Sequence, residues 1–329
     1  MKNLASTIEM EFTTQMVTSN TNPMEPASAT LIYVPMFYGG RHRGTSMGPD
    51  AVRTASLNER LEIAGVKLSA ESELAIPAVE ANWQDPVVKG VKCCPQILQV
   101  CQQLMNSVDE ALAAGTTAVT IGGDHSIAMG SIAGASRNLR RQGKNLGLIW
   151  FDAHGDIHTP ETTYNGNLHA MPLAVVLGKG DRRLIDLAGY TPMVQGRNTV
   201  LIGISDLDGD ERAIIKELGV TTFSMHDIDQ LGMPKVMAQA LEIASNGTEA
   251  IHVSFDIDVI DTEYAPGVTT PARGGMSARE ALYAVSSICQ WQKAKSFDFV
   301  ELNPANDVRN KTARLCVDLI LSAMGHRTI

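Results

Sequence analysis

The fold is decided by the stretch GLIWFDAHGD, residues 147–156, in which an apolar run ends in three polar side chains. The apolar part predicts a buried strand of a parallel sheet. Ligands of open α/β sheets bind at the carboxyl ends of the strands, so Asp152, His154 and Asp156 follow the strand where chemistry is expected. Taken alone, the pattern fits a polar turn as well as a metal site.

Strand and helix patterns alternate along most of the chain. Such alternation predicts right-handed crossovers and a parallel sheet covered by helices on both faces. The predicted strands are residues 30–35, 117–121, 147–151, 199–204, 220–224, 251–255 and 297–302, with one short strand within 66–95. The predicted helices start at Gly48-Pro49 and near Ile127 and cover 96–114, 209–218, 233–245, 277–290 and 310–323. We therefore predict an α/β fold with a parallel sheet of about eight strands.

The chain divides into two parts of different composition. Residues 1–28 are rich in Thr, Ser, Asn, Met and Glu and show no sustained period, which predicts a flexible amino-terminal arm. No linker-like composition interrupts the remainder. A chain of 329 residues with 44% hydrophobic composition can build one large core, so residues 29–329 are predicted to form a single catalytic domain.

Charge and cysteine content restrict the classes of function. A net charge of −9 and a pI near 5.4 disfavour nucleic acid as a partner and mildly favour a cationic substrate. The five cysteines match neither a zinc ribbon nor a disulfide framework, which indicates unpaired thiols in a reducing compartment. The chain shows no apolar membrane span and no signal-peptide pattern. We expect a cytoplasmic protein that does not bind membranes.

Two further strand ends carry side chains that can bind metal ions. His125 follows the strand at 117–121, and Asp256 and Asp258 follow the strand at 251–255. Residues i and i+2 of a strand share a face, so Asp256 and Asp258 can point to one place. Carboxylates and imidazoles together suit two divalent ions, which can activate a shared water molecule. Each cluster alone could be a capping turn, but three at successive sheet exits indicate a two-metal centre.

Three motifs give the chain a family resemblance. GGDHS at 122–126, DAHGD at 152–156 and SFDID at 254–258 resemble the three signatures of the ureohydrolases, the superfamily of arginases, agmatinases and guanidinobutyrases. The resemblance extends from Tyr33 to Met324. It is strongest to bacterial-type arginases, through TPETT at 159–163, GNLH at 166–169 and FSMH at 223–226.

The resemblance implies a fold, a metal centre and an assembly. The fold would be a three-layer α/β/α sandwich, and the assembly a homotrimer or homohexamer, with a hetero-oligomer as an alternative. Two divalent ions would bind in each subunit, most often Mn²⁺ and in some members Ni²⁺. The first ion would be held by His125, Asp152, Asp156 and Asp256. The second would be held by His154, Asp152, Asp256 and Asp258, with Asp152 and Asp256 bridging.

The resemblance also implies a reaction, in which a guanidino compound and water give an amine and urea. Asp156 would take or relay the proton of the attacking water, and His169 would deliver a proton to the leaving amine. A planar guanidinium requires a carboxylate that pairs with its nitrogens, and the matching position is Glu301. Arginases recognise the amino-acid end of the substrate at positions that match Thr163, Asp208 and Glu211.

Two positions depart from the arginase pattern. His158 stands where arginases typically carry Asn, and Asn165 stands where they carry Ser, at positions that contact the substrate carboxylate. The departure fits either drift at a tolerant loop or a changed substrate preference, since shape changes in a small pocket alter which molecule fits. Arginine is therefore the leading substrate. The alternatives are agmatine, guanidinobutyrate, guanidine itself, an alkylated guanidine or a biguanide such as metformin.

Two other interpretations of the resemblance differ in class. A non-catalytic subunit of a hetero-oligomeric ureohydrolase would share the fold, but all the metal ligands and Glu301 are present in this chain. A metal-dependent deacylase shares a related sheet, but should lack the GGDHS signature and the full ligand set. The basic loop at 41–43 fits either a solvated surface or the border of the pocket.

Overall fold

The computed structural model describes residues 27–40, 42–78 and 90–326. The predicted arm lies almost wholly outside the described residues, as does Arg41 of the basic loop. The first strand begins at Ser28, two residues before its predicted start. None of the helices in the described ranges has the length and apolarity needed to cross a membrane.

Eight strands form one sheet in which every neighbouring pair is parallel. Their order across the sheet is β2-β1-β3-β8-β7-β4-β5-β6. The strands are β1 Ser28–Val34, β2 Lys67–Glu73, β3 Thr117–Gly122, β4 Leu146–Phe151, β5 Thr199–Ile204, β6 Thr221–Ser224, β7 Ala250–Asp256 and β8 Ala294–Val300. The predicted fold class and strand number are confirmed.

The helices connect the strands and cover the sheet. In the described part of the chain they are α1 Gly48–Thr54, α2 Leu57–Ile63, α3 Cys94–Ala113, α4 Ala128–Arg140, α5 Pro172–Val176, α6 Arg182–Ile185, α7 Gly209–Leu218, α8 Met225–Leu231, α9 Met233–Ser245, α10 Ala278–Gln290 and α11 Lys311–Ala323. The helix predicted to start at Gly48-Pro49 and to carry Val52, Leu57, Leu61 and Ile63 is divided into α1 and α2. The short helices α5, α6 and α8 were not predicted. Too few turns are present in each of them for a helical period to be recognised.

Alternation along the strands builds two separate cores. In β1, Leu31 and Tyr33 join one core, and Ile32 and Val34 join the other, because successive strand residues point to opposite faces. Helices α1, α2, α8, α9, α10 and α11 contribute to the first core. Helices α3 to α7 contribute to the second. The molecule is therefore a three-layer α/β/α sandwich.

The edge strand β2 differs from the other strands. All seven of its side chains are exposed, and it pairs only with β1. Its sequence, KLSAESE, lacks the apolar run of a buried strand. The sequence therefore predicted one short strand within residues 66–95 without giving its bounds. Charged side chains are typical of an exposed edge, where they oppose pairing with another chain.

The strand order brings the site together. Strands β8 and β7 lie between β3 and β4, although they come last along the chain. The carboxyl ends of β3, β8, β7, β4 and β5 are therefore consecutive in space. The three motifs at 122–126, 152–156 and 254–258 all lie at this carboxyl end of the sheet.

Gly123 shows how closely two of these strand ends approach. A Cβ atom at Gly123 would lie 1.6 Å from the carbonyl oxygen of Met36, in the segment that follows β1. The next amide, of Asp124, donates a hydrogen bond to the same oxygen at 3.0 Å. A side chain at residue 123 would therefore separate β1 from the loop that carries His125.

We expect Gly123→Ala to lower the free energy of unfolding by about 1–3 kcal/mol or more, because overpacking forces backbone to move. Denaturant unfolding measures this change. Gly209→Ala is the control, since no atom lies within 4 Å of the added methyl group, and it should change stability by no more than about 0.5 kcal/mol. Equal stability of the two variants would contradict this description of Gly123.

Candidate metal centre and acidic cavity

The chain forms the same local turn at the ends of β4 and β7, and this turn orients the candidate metal ligands. Asp152 Oδ1 accepts a hydrogen bond from the amide of His154 at 2.7 Å, and Asp256 Oδ1 accepts one from the amide of Asp258 at 2.8 Å. Each turn folds the residue at i+2 back beside the strand end. Oδ1 of each aspartate thus accepts a backbone hydrogen bond, and Oδ2 of each faces His125 Nδ1.

The first group of ligands surrounds His125. Its Nδ1 lies 3.2 Å from Asp152 Oδ2, 3.0 Å from Asp156 Oδ2 and 3.0 Å from Asp256 Oδ2. All four residues are buried. These are the four residues that the resemblance assigned to the first ion.

The second group adjoins the first through Asp152. His154 Nδ1 lies 3.4 Å from Asp152 Oδ1 and 3.2 Å from Asp258 Oδ2. Asp152 belongs to both groups, as expected for a bridging ligand. Asp256 belongs to the first group, and its predicted bridging to a second ion stays a prediction.

Divalent ions fit these groups. His125 Nδ1 and Asp258 Oδ1 are buried and make no hydrogen bond to the described residues, although buried polar atoms are normally paired. Burial and the nearby Asp152 carboxylate raise the pKa of Asp156 to about 7. Burial, with repulsion from Asp258, also raises the pKa of Asp256. Cations would satisfy the unpaired atoms and offset the repulsion, and the oxygen and imidazole donors suit Mn²⁺ or Ni²⁺.

Two supporting residues were missed by the sequence analysis. The Trp150 ring stacks on the His125 ring with centroids 4.2 Å apart, and its Nε1 donates to Asp152 Oδ2 at 3.0 Å. Its position two residues before Asp152 on one strand is a signal that would have found it. Thr270 Oγ1 donates to Asp258 Oδ2 at 3.1 Å. Thr270 lies in a loop twelve residues away, and no local pattern marks it.

Asp124, next to His125 in the sequence, makes no hydrogen bond to an imidazole of the described residues. Its carboxylate accepts hydrogen bonds from the Gly39 amide at 2.9 Å and from the amide and hydroxyl of Ser126. Burial and the nearby Glu301 raise the pKa of Asp124 to about 6. Asp124 therefore ties the loop after β1 to the turn that carries His125.

A cavity of about 320 Å³ opens above the two groups. Its lining includes seven carboxylates and three histidines, and no lysine or arginine from the described residues. Such a lining attracts a small cation.

Glu301 and His169 lie together in the lining. His169 Nδ1 is 3.3 Å from Glu301 Oε1, which also accepts a hydrogen bond from the His125 amide at 2.9 Å. Within the described ranges, no group donates a hydrogen bond to the second oxygen, Oε2. Burial opposes protonation of His169, but Glu301 raises its pKa to about 9. Glu301 and Asp156 both adopt left-handed backbone angles, with φ of 63° and 47°, a conformation that is uncommon for non-glycine residues.

The outer end of the cavity is formed around His158. Its Nε2 lies 3.3 Å from Asp208 Oδ2 and 4.0 Å from Glu211 Oε1. Its Nδ1 lies 3.0 Å from the hydroxyl of Thr162. That hydroxyl oxygen accepts from the Thr159 amide, so its proton is available to His158 Nδ1. His158 therefore directs an N–H group at Nε2 toward the two acids.

Two of the predicted substrate contacts do not line this cavity. Thr163 Oγ1 accepts from the amides of Asn165 and Gly166, and Asn165 Oδ1 accepts from the Asn167 amide. Both side chains thereby stabilise turns of the loop, and their substrate roles stay predictions. Tyr164 and Asp206 line the cavity and were missed, because neither belongs to a metal-binding pattern.

The fold and the site define a class of protein, an α/β/α enzyme with a two-metal ligand set beneath an acidic cavity. The model of the arginase family matches residues 27–325. An arginase of Brevibacillus brevis is 39% identical over 300 residues, covering 91% of this chain and 98% of that protein. The crystal structure of arginase from Bacillus cereus superposes with a TM-score of 0.84 at 39% identity, covering 92% of this chain and all of that one.

A further structure extends the comparison. The native arginase of Bacillus caldovelox superposes with a TM-score of 0.86 at 37% identity, covering 93% of this chain and 100% of that chain. The chain belongs to the arginase family and is a hydrolase of guanidino carbon–nitrogen bonds. The predicted family, fold and enzyme class are confirmed.

The shared position of Asp152 predicts a pattern of metal loss. We expect Asp152→Asn to weaken the binding of both metal equivalents, because this carboxylate belongs to both groups. Asp258→Asn should weaken one equivalent only. Elemental analysis after dialysis against a divalent ion measures the stoichiometry. Two retained equivalents in the Asp152 variant would contradict the assignment.

Proposed function

We propose that the protein hydrolyses arginine to ornithine and urea. The observation that carries the proposal is the buried Glu301 carboxylate, whose Oε2 accepts no hydrogen bond from the described residues and which lines a cavity next to the two ligand groups. A carboxylate in this position pairs with a planar guanidinium and holds its central carbon near the ligand groups. Relatives 39% identical to this chain are named arginases, and this name supports arginine as the substrate.

Two Mn²⁺ ions, or alternatively Ni²⁺ ions, are proposed as cofactors. His125, Asp152, Asp156 and Asp256 would hold the first, and His154, Asp152 and Asp258 the second, with Asp256 available to both. When bound, two divalent ions supply a nucleophile at neutral pH, because they lower the pKa of water to near 7.

Two side chains are placed to move protons. Asp156 lies in the cavity lining with its Oδ2 3.0 Å from His125 Nδ1, and this carboxylate can accept the proton of the attacking water. His169, whose pKa Glu301 raises to about 9, is protonated at neutral pH and can donate to the leaving amine.

The outer end of the cavity supports recognition of an amino acid. Asp208 and Glu211 provide negative charge for an α-ammonium group. Thr163 and Asn165 are proposed to contact the carboxylate, which they could reach if the loop at 157–170 moves on binding. This part of the proposal rests on the family positions of the four residues.

His158 favours a second candidate function. Its Nε2 faces the two acids that an ammonium group would use. A substrate with a second cation, such as arginine or agmatine, must displace this contact, whereas guanidine, guanidinobutyrate, an alkylated guanidine or a biguanide need not. Hydrolysis of such a compound is the alternative.

Glu301→Gln tests the reaction. We expect kcat/KM for urea release to fall by about 100-fold or more. Removing the Glu301 charge would leave the substrate guanidinium buried without its partner, which costs roughly 2–5 kcal/mol. Metal content should be unchanged. Glu249→Gln, at an exposed glutamate paired with Lys144, should leave the activity as it is. Full activity of the Glu301 variant would refute the guanidinium role.

His158→Asn combined with Asn165→Ser tests the substrate. If His158 competes with the substrate's ammonium group, kcat/KM for arginine should rise relative to that for guanidinobutyrate. A panel of guanidino compounds, assayed with Mn²⁺ and Ni²⁺ separately, gives both values. His226→Asn, at an exposed histidine of α8, is the control. An unchanged preference would show that His158 is neutral drift, and no urea from any compound would refute the proposed activity.

The assembly is also a proposal. We expect a homotrimer or homohexamer, which sedimentation of the purified chain would establish. Urea release by this chain alone would exclude the alternative that it requires a second, related subunit.

A further inference from the structure

We propose that Asp298 is a positioning residue for the metal site at His125, and that it acts through Ser254. The inference rests on the two-metal centre proposed above. Neither residue lines the cavity, so any effect on the metal must pass through other side chains.

The strand register places the two residues side by side. Ser254 of β7 is paired with Asp298 of β8, and His252 of β7 with Ser296 of β8. All four side chains are buried with at most 1% exposure. A carboxylate buried so completely needs several polar partners, and the sheet supplies them on one face.

The hydrogen-bond chain has a defined direction. The Asp298 carboxylate can only accept, so the Ser254 hydroxyl donates to Asp298 Oδ1 at 2.5 Å. With its proton used, the Ser254 oxygen accepts from His125 Nε2 at 2.9 Å. His125 is therefore protonated on Nε2, and the lone pair of Nδ1 faces the three carboxylates of the first metal group. This is the tautomer that a metal ligand requires.

Two further groups contact Asp298 at its other oxygen, and a third supports one of them. Its Oδ2 accepts from the Ser131 hydroxyl of α4 at 2.5 Å and from His252 Nε2 at 2.8 Å. His252 Nδ1 in turn contacts the Ser296 hydroxyl at 2.8 Å. Burial opposes ionisation, but His252 lowers the pKa of Asp298. The negatively charged carboxylate of Asp298 is thus connected to His125, a proposed metal ligand, through two hydrogen bonds.

The arrangement has a consequence for affinity. A carboxylate that polarises a metal-binding imidazole makes its free nitrogen a stronger donor, and loss of such a partner weakens metal binding by about 10- to 100-fold. Asp298 should strengthen the first metal site and leave the second, built on His154, unchanged.

Metal binding to three variants tests the proposal. Asp298→Asn keeps the shape and removes the charge, Ser254→Ala breaks the connection, and the third variant combines both. The metal-free proteins are titrated with Mn²⁺ in the presence of a competing chelator, and thermal unfolding checks their fold. Each single change should weaken one of the two equivalents by about 10- to 100-fold. The double variant should bind no more weakly than the weaker single variant, because both changes break one chain.

Asp109→Asn is the matched control. Asp109 is also a buried aspartate, but it pairs with Arg137 and Arg141 on α4 and its neighbouring turn, far from the ligands along the sequence and outside the cavity lining. Its loss should lower stability without changing either metal affinity.

The outcomes separate this inference from the proposed function. If the unaltered protein binds neither Mn²⁺ nor, in the same titration with Ni²⁺, that ion, the two-metal centre itself is wrong. If it binds two equivalents and Asp298→Asn binds both with unchanged affinity, only the role of Asp298 is refuted. Additive losses in the double variant would refute the path through Ser254. If Asp298→Asn does not fold, Ser254→Ala decides, since an unchanged first site in that variant overturns the proposal.

Discussion

Repulsion among buried carboxylates is the constraint on which the rest of the structure depends. Asp152, Asp156, Asp256 and Asp258 are all less than 10% exposed and surround two imidazoles. Like charges at such distances raise each other's pKa, and in a buried site the cost is far greater than in water. Backbone amides at the strand ends and the indole of Trp150 offset part of this cost. Divalent cations are the partners that would offset the remainder.

The sheet is ordered in a way that makes this convergence possible. A sheet whose strands followed chain order would place β7 and β8 far from β3. Here the chain returns to insert them between β3 and β4, so His125, Asp152, Asp256 and Glu301 leave four adjacent strands at one edge. The absence of a side chain at Gly123 lets the loop after β1 close over the same edge. Packing on both faces then fixes these ends rigidly, as a metal site requires.

The sequence predicted those parts of the site that lie next to each other along the chain. The three motifs identified the residues that the structure brings together in the two candidate ligand groups, because a strand end followed by alternating Asp and His residues is a local pattern. Partners from distant segments were not predictable in this way. Asp298 and Ser254 are 44 residues apart and are joined only by strand register, and Thr270 reaches Asp258 from a loop. The sequence predicted the edge strand β2 as one short strand without bounds. Its exposed side chains have no apolar pattern that would mark where the strand begins and ends.

The same difference explains why the reaction is better defined than the substrate. The reactive groups stand on strand ends, where packing permits one arrangement. His158 and Thr163 stand on the irregular segment between β4 and α5, whose shape is set by hydrogen bonds within the loop. His158 faces Asp208 and Glu211 from this segment, whereas the candidate metal ligands Asp152, His154 and Asp156 precede it at the end of β4. A chain of this family can therefore change its preferred guanidino compound through the loop while the sheet preserves the chemistry.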